Sequence, residues 1–198
     1  MENISETKAD HISAEFNSEN IVKCEFRECN FSFADMENCH IENSVFTDCI
    51  FRSAKLSDMS AERSVFTNCV FENADLSFAS FVRCKCTGCS FVQTEMLGFE
   101  IISGNFSYSN FSFCNMRSMD LKGVCFRNGI FRETNFAKAD LNGCDLSGAD
   151  LFKADLREAD LRNAVLDNAI ISGIVMKKAK IDVAAAVSIA ESMGAVLS

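Results

Sequence analysis

The chain has 198 residues, of which 48% are hydrophobic, 28 are acidic and 19 are basic, giving a formal net charge of −9. This length suits one domain, and the apolar runs are far too short to cross a membrane. The first residues contain neither a basic stretch nor an apolar stretch, so we expect no secretory signal and predict a cytoplasmic protein.

The N-terminal segment, residues 1–12, is polar and acidic, and we predict a disordered tail or a short cap there. From Phe16 to Ile181, every fifth residue is Phe, Leu, Ile or Met at all but two of 34 positions, the exceptions being Ala61 and Cys86. A period of five fits neither an α-helix nor a strand, and a short repeat without insertions predicts a solenoid. We call the apolar position i, so that i−2 is the residue two positions earlier.

Side-chain types within the repeat also recur at every fourth unit. One set of i positions is aromatic from residue 26 to residue 126 except at Cys86, and a second is aromatic from residue 31 to residue 131. A third set is rich in Met and Leu, and a fourth is mainly aliphatic. Because stacking places like shapes on one another, this recurrence predicts four five-residue segments in each coil, with aromatic rings stacked along the axis.

The stretch from Ala139 to Asn163 shows the repeat unit most clearly. It has five units of a small residue, Asp, Leu and two mostly polar residues. On these residues the chain resembles the pentapeptide-repeat family over residues 12–182. The resemblance implies an all-β solenoid, a right-handed quadrilateral β-helix in which i and i−2 point inward, and we assign it to residues 13–182.

The 11 cysteines raise the alternatives of disulfides and a metal site. Nine of them lie at i−2, Cys86 lies at i, and only Cys125 lies outside the inward positions. Buried cysteine behaves as a small hydrophobic residue, so we interpret these residues as core, although the CKCTGC cluster at residues 84–89 resembles zinc-ligand spacing. We therefore predict no metal site and no cofactor.

One stretch, Met96–Gly104, departs from the pattern. Phe99 is large at i−2, where most units have a small residue, and Leu97 and Ile102 are apolar at the outward position i+1. We expect a local bulge or a contact surface there.

The repeat stops at Asp182, whose side chain can cap a helix. Residues 183–198 are predicted to form a C-terminal helix and a short apolar tail, because residues 183–193 are apolar except for one narrow polar stripe. Such a helix can cover the last coil and leave apolar surface for a two-fold homodimer; a capping helix in a monomer is the alternative. The predicted dimerisation residues are Val183, Val187, Ile189, Ala190, Met193 and Val196.

The sequence offers no catalytic constellation. Its two histidines, His11 in the N-terminal segment and His40 at an outward position, have no sequence context for a nucleophile or a metal site. We predict that the protein is not an enzyme and that its outer surface carries its function.

Charge on that surface is uneven. Residues 1–49 carry 11 acids and 3 bases, a net charge of −8, whereas the remainder is nearly balanced. Acidic residues at i−1 should stack from coil to coil about 4.8 Å apart. Such carboxylates repel one another and are candidates for recognition, although a solvated face interleaved with Arg and Lys is the alternative. We call these candidate binding residues the acidic ladder: Asp35, Asp75, Glu95, Glu100, Asp120, Asp140, Asp155 and Asp160.

The overall layout resembles the Qnr and MfpA-type branch of the family. The shared features are a chain near 200 residues, a nearly unbroken repeat, and a terminal helix followed by the tail from Met193 to Val196. The resemblance implies an acidic rod that mimics duplex DNA, binds DNA gyrase or topoisomerase IV, protects from quinolones or gyrase poisons, and binds no nucleic acid. Qnr members of Gram-negative bacteria carry projecting loops for which this repeat leaves no room, which favours the loopless MfpA-like pattern.

A generic protein–protein interaction scaffold is the second hypothesis. It depends on outward apolar residues that should form a patch. At i−1 these are Val45, Ile50, Val65 and Val70, and at or beside the corners they are Phe33, Tyr108, Phe113 and Phe152. The alternative is that such residues simply suit a sheet face.

Overall fold

The computed structural model describes residues 1–196, so Leu197 and Ser198 of the predicted tail lie outside the described residues. The strands are β1 (Ser5–Thr7), β2 (Asn20–Val22), β3 (Glu25–Arg27), β4 (His40–Glu42), β5 (Val45–Thr47), β6 (Ser60–Glu62), β7 (Val65–Thr67), β8 (Ser80–Thr87) and β9 (Glu100–Asn105). The helix is α1 (Val183–Ser192). Over residues 1–196 the structure contains no helix with the length and apolar character needed to cross a membrane.

All strand pairs are parallel, and each residue pairs with the equivalent residue four units later. β1 pairs with β3 and β2 pairs with β4, which places Ser5 opposite Glu25 and Asn20 opposite His40. Beyond residue 105, single bridges continue the same offset as far as the pair of Asp160 and Lys180. One coil therefore takes four units, and the predicted pentapeptide-repeat solenoid is confirmed.

Each coil turns at position i+2, where the backbone is left-handed. Positive φ recurs in every unit, for example at Asn68 (53°), Phe113 (65°) and Gly123 (66°). Most residues at these corners are not glycine. β-Branched residues, for which positive φ is least favourable, occupy none of the i+2 corners between residues 3 and 178.

The interior is filled by stacked aromatic rings, as the recurrence at every fourth unit predicted. Phe31, Phe51 and Phe71 stack with ring centroids 5.0 and 4.9 Å apart and interplanar angles of 5° and 4°. Each ring also meets the neighbouring column edge-on, as Phe46 meets Phe51 at 5.6 Å and 65°. Offset stacking along the axis and edge contacts across it are both favourable aromatic geometries, so each column stabilises the next.

The exception at Cys86 has a structural explanation. The ring of Phe81, from the mainly aliphatic column, stacks on Phe66 with centroids 5.4 Å apart and an angle of 5°, and lies 6.4 Å from Phe106. Cys86, which is fully buried, is small enough to leave this space. The missing ring of one column is therefore supplied by its neighbour.

The N-terminal segment differs from the prediction of a tail or cap. Residues 1–12 belong to the first coil, because β1 pairs with β3 and Asp10 bridges to Asn30. Glu6 and His11 occupy inward positions; their side chains hydrogen-bond at 2.6 Å, and the His11 ring stacks on Phe31 at 4.8 Å. These two polar side chains are only half-buried and pair with each other, so the apolar repeat can be followed in the sequence only from Phe16 onward.

Helix α1 covers part of the last coil. Asp182 caps it: Oδ1 accepts a hydrogen bond from the Ala185 N–H at 2.9 Å, and Oδ2 accepts one from the Asn163 N–H at 2.6 Å. Ala185 is buried and Ile189 is half-buried against the core. The predicted helix N-cap at Asp182 is confirmed, and the Asp182 carboxylate also links the helix to the preceding coil through Asn163.

Candidate interaction surface

Aspartate at i−1 has a structural role in this fold. The Oδ1 of Asp75 accepts a hydrogen bond from the Ser77 N–H at 2.9 Å, and Asp140 and Asp160 accept in the same way from the N–H groups two residues later. This is the local turn that Asp and Asn side chains favour. The preference for Asp at i−1 therefore has a folding cause, and the same oxygen can accept a second bond, as Asp160 Oδ1 does from Arg162 Nε at 2.9 Å.

The structure brings most of the acidic ladder into register. Asp120 bridges to Asp140 and Asp140 to Asp160 on one face. On the next face Asp75 bridges to Glu95, while Lys55 separates Asp35 from Asp75. Asp155, on the same face, bridges to Asn135 and Val175. Glu100 pairs with Ser80 in the preceding coil, and no bridge joins it to Asp120 within residues 1–196.

The expectation that the ladder carboxylates repel one another is wrong for the C-terminal part of the ladder. Lys122 Nζ lies 3.1 Å from the Oδ2 atoms of both Asp120 and Asp140. Arg162 and Lys180 approach Asp160 at 2.6 and 3.7 Å. Hydrogen bonds from Arg162 lower the pKa of the Asp160 carboxyl to about 2. Basic residues at i+1 and i−1 therefore neutralise carboxylates of their own and adjacent coils.

The same neutralisation holds at two further positions. Arg157 lies 2.5 Å from Asp155 and lowers the pKa of its carboxyl, and Lys55 lies 3.3 Å from Asp35. Three ladder residues differ. In the described part of the chain, Asp75, Glu95 and Glu100 have no Lys, Arg or His nitrogen within 4.0 Å. We call these three the bare carboxylates.

The outward apolar residues form two kinds of surface. Val45 faces Val65 and Ile50 faces Val70 in adjacent coils, as predicted, and all four are half-buried. The corner residues are more exposed: Phe33, Tyr108 and Phe113 each have more than half of their surface open, as does Phe78, which the sequence analysis missed. The position of Phe78 at i+2 was the sequence signal that could have identified it as an exposed corner residue. Phe152 lies under the Lys153 ammonium at 5.2 Å.

The predicted dimerisation residues fall into two groups. Val183, Met193 and Val196 are exposed by 80%, 78% and 91%, whereas Val187, Ile189 and Ala190 are half-buried. Beside the helix lies a cavity of about 1140 Å³ that reaches Ile171, Ile174 and Met176 of the last coil. One copy of α1 therefore leaves the end of the core incompletely covered.

The histidines and cysteines are not assembled into a reactive site. The His40 Nδ1 lies 2.8 Å from the Ser60 hydroxyl on the outer surface, and His11 packs into the first coil. Ten cysteines are buried and Cys125 is half-buried, with no disulfide among the described residues. Burial raises the pKa of Cys114 and Cys144 to about 12. Over residues 1–196 no three His, Cys, Asp or Glu side chains are grouped to hold a metal ion.

These observations define a class: a parallel β-solenoid with a closed apolar interior, whose outer side chains and two ends are the surfaces available for contacts. The chain belongs to the pentapeptide-repeat family. The family's sequence pattern, described as pentapeptide repeats in 8 copies, matches residues 24–58, 62–96, 104–136, 130–168 and 144–180.

Solved structures with the same fold include QnrB1. Full-length QnrB1, described as a plasmid-mediated fluoroquinolone resistance protein, matches 98% of this chain and 99% of its own at a TM-score of 0.84 and 22% identity. Two trypsin-treated QnrB1 variants match 100% of this chain, and 99% and 98% of theirs, at TM-scores of 0.57 and 0.58 and identities of 22% and 21%. A search of curated proteins found no match. The resemblance to the Qnr type is confirmed at the level of the fold.

Proposed function

We propose that this protein is a non-enzymatic acidic rod that occupies the duplex-DNA site of a bacterial type II topoisomerase, DNA gyrase or topoisomerase IV, in the cytoplasm. The acidic ladder carries the proposal. Its carboxylates repeat at a coil spacing of about 4.8 Å, of the same order as the phosphate spacing of about 3.4 Å along one DNA strand. Basic groups that contact phosphates can pair with such a row. A rod of net charge −9 repels nucleic acid, so its partner is the protein.

The ion pairs indicate which part of the rod makes this contact. Asp120, Asp140, Asp155 and Asp160 already have Arg or Lys partners. The bare carboxylates have no such partners. The most acidic part of the chain, residues 1–49, forms the coils that precede them. We therefore place the contact on the N-terminal half of the rod, including Asp75, Glu95 and Glu100.

Protection from quinolones is the consequence that we propose for this binding. The fold relative QnrB1 is described as a fluoroquinolone resistance protein, and it is alike over nearly its full length. A rod bound in place of DNA would also inhibit the enzyme, so inhibition and protection are two readouts of one contact.

Gyrase supercoiling at low and moderate salt tests the proposal. The wild-type protein should inhibit, and inhibition should weaken as salt rises, because phosphate-like contacts are screened. The variant Asp75→Asn, Glu95→Gln, Glu100→Gln removes three charges and keeps the oxygen that closes the turn at residue 75. It should inhibit about tenfold less well, which corresponds to about 1.4 kcal/mol.

A matched control removes three charges outside the ladder and in the C-terminal half of the rod: Glu133→Gln, Asp145→Asn and Glu158→Gln. It should inhibit as well as the wild type. An equal loss of inhibition in the two variants would show that inhibition depends only on net charge. Absence of inhibition by micromolar wild-type protein would refute the proposed function.

We also propose that two rods join through their C-terminal helices. The exposed Val183 and Met193 and the incompletely covered last coil support a two-fold contact there. Met193→Glu should give a monomer in sedimentation, whereas Ser192→Glu, one residue away, should not. Ile189→Glu should also give a monomer, but Ile189 packs against the core, so Met193→Glu is the cleaner test. An unchanged mass for Met193→Glu would refute the dimer.

A general interaction scaffold is the second candidate. The exposed corner aromatics Phe33 and Phe113 favour it, because large apolar side chains are costly to leave in water. Asn replaces them well, since Asn73 occupies the same kind of corner. If Phe33→Asn with Phe113→Asn abolished partner binding while the variant lacking the bare carboxylates retained it, the scaffold would be the better account.

A further inference from the structure

The ladder of hydrogen bonds between coils is interrupted in one place. Elsewhere the N–H groups at i and i+2 donate to carbonyls of the following coil, as Met36 and Asn38 do at 2.8 and 3.0 Å, and the N–H group at i−1 donates to the preceding coil, as Asp35 does to Ala14 at 2.9 Å. Within residues 1–196, six bonds that this pattern predicts are missing. Their donors are the N–H groups of Met96, Gly98, Ile101, Ser103, Asn115 and Asp120. Two walls of adjacent coils have therefore parted, and the predicted irregularity at residues 96–104 is one side of the opening.

Overpacking explains the opening. Phe99 and Met119 follow each other at i−2 of one column, which holds Ala79 before them and Ala139 after them. A single large residue is tolerated, since Met59 in the same column is buried under an intact ladder. Two in succession exceed the space at normal coil spacing. Ring stacking nearby is also disturbed, because Phe106 and Phe126 are tilted by 46°.

The opening forms a cleft of about 620 Å³ with a distinct chemistry. Its apolar floor includes Met96, Phe99, Ile101 and Met119. Its two lips are parallel edges, and each carries backbone N–H and C=O groups with no partner in the other coil. Unpaired edges of this kind are templates for another extended chain.

Side chains on the two lips of the cleft are strongly exposed to solvent. The Asp120 side chain on one lip is 69% exposed, compared with 33% for Asp140 and 11% for Asp160 in the next two coils of the same ladder. Leu97 and Ile102 on the other lip are also more than half exposed. Glu100, a bare carboxylate, lines this lip between Leu97 and Ile102, and Glu95 lies beside it. Arg117 and Lys122 line the opposite lip, where Lys122 pairs with Asp120 and Asp140.

We propose that the cleft binds an extended segment of a partner protein in which basic and apolar residues alternate. The segment's backbone pairs with the N–H groups of the lip at residues 98–103, an apolar side chain enters the cleft, and flanking Lys or Arg side chains meet Glu95 and Glu100 on the same lip. The alternation follows from strand geometry, which sends successive side chains to opposite faces. This inference does not rest on the proposed topoisomerase binding.

Amide hydrogen exchange by NMR tests the free protein first. The N–H groups of Gly98, Ile101 and Ser103 should exchange about 100-fold faster than those of Met36 and Asn38 in an intact coil. Equal protection of the two sets would show that the ladder is closed and would overturn the proposal.

A fluorescent peptide of alternating Lys and Val tests the occupant. It should bind, as measured by anisotropy, and should slow exchange at Gly98, Ile101 and Ser103; the same peptide with Glu in place of Lys should do neither. Met119→Ala removes one of the two overpacked residues, so it should close the cleft, restore amide protection and weaken the peptide about tenfold. Met59→Ala, the same change under an intact ladder, should leave binding unchanged.

Three outcomes would overturn the proposal. In the first, the Lys and Glu peptides bind equally well. In the second, Met119→Ala restores protection of the lip amides but binds the Lys peptide as tightly as the wild type. In the third, the lip amides become protected because the protein associates with itself, and the peptide does not bind. Supercoiling inhibition is recorded on the same Met119→Ala protein, which keeps every charge. Loss of peptide binding with retained inhibition separates the cleft from the topoisomerase contact.

Discussion

Phenylalanine at position 86 would complete an aromatic column, yet the structure predicts that it destabilises the protein. The ring of Phe81 already occupies that space, stacked on Phe66 at 5.4 Å and 5°. Cys86→Phe adds a second ring to a fully buried position, which should cost about 1–3 kcal/mol by overpacking. Phe81→Ile alone leaves a gap beside Cys86 and should cost about 2 kcal/mol.

The double variant should be far more stable than the sum of these costs suggests. It moves the ring from position 81 to position 86 and places Ile in a column that already holds Ile41 and Ile101. Volume is nearly conserved, so the total cost should be less than about 1.5 kcal/mol. The coupling energy between the two sites is then about 2–3 kcal/mol, at the upper end for residues in contact.

Urea unfolding followed by circular dichroism measures the cycle. Cys86→Phe combined with Leu156→Ile, a buried change several coils away, provides the control and should be additive within about 0.5 kcal/mol. Additive costs for Phe81 and Cys86 would refute the claim that one ring substitutes for the other.

Three further predictions concern the corners, the acidic ladder and the core. Gly123→Ala should destabilise by about 1 kcal/mol in urea unfolding, because Gly123 has φ of 66° and open space around it, so only the left-handed backbone opposes a side chain; no loss would contradict a strained corner. Asp160, whose folded pKa of about 2 lies below its unfolded value, should contribute stability above pH 4 that is lost as pH falls toward 2. Asp160→Asn should therefore flatten that part of the stability–pH curve, and an unchanged slope would argue against the Arg162 pair. Native protein should react with a thiol reagent only at Cys125, whereas unfolded protein should expose all 11 thiols; rapid reaction of several native thiols would contradict a closed interior.

The solenoid could be predicted because its cause is local and repeated. Each unit places one large and one small side chain inward, so the period of five and the recurrence at every fourth unit are both visible in the letters. The stacking of Phe31, Phe51 and Phe71 follows directly from that recurrence. The first coil could not be predicted in this way, because Glu6 and His11 occupy its inward positions and hydrogen-bond to each other.

Contacts between coils explain the other differences. Lys122 reaches Asp140 in the following coil, so neutralisation of the acidic ladder depends on how far a side chain extends from one coil to the next. Phe81 fills the space beside Cys86 by leaning out of its own column. The sequence marked Phe99 as too large, but the opening needs Met119 beneath it as well. Such pairs appear in the sequence only once the columns are aligned coil by coil.

Competition with duplex DNA tests the central claim most directly. Labelled duplex is bound to gyrase, and its displacement by the wild-type protein is followed by anisotropy at several salt concentrations. The account predicts complete displacement, an apparent Kd for the rod that rises in proportion to duplex concentration, and weakening of both ligands with salt. A complex that holds the rod and the duplex together on one enzyme would contradict it.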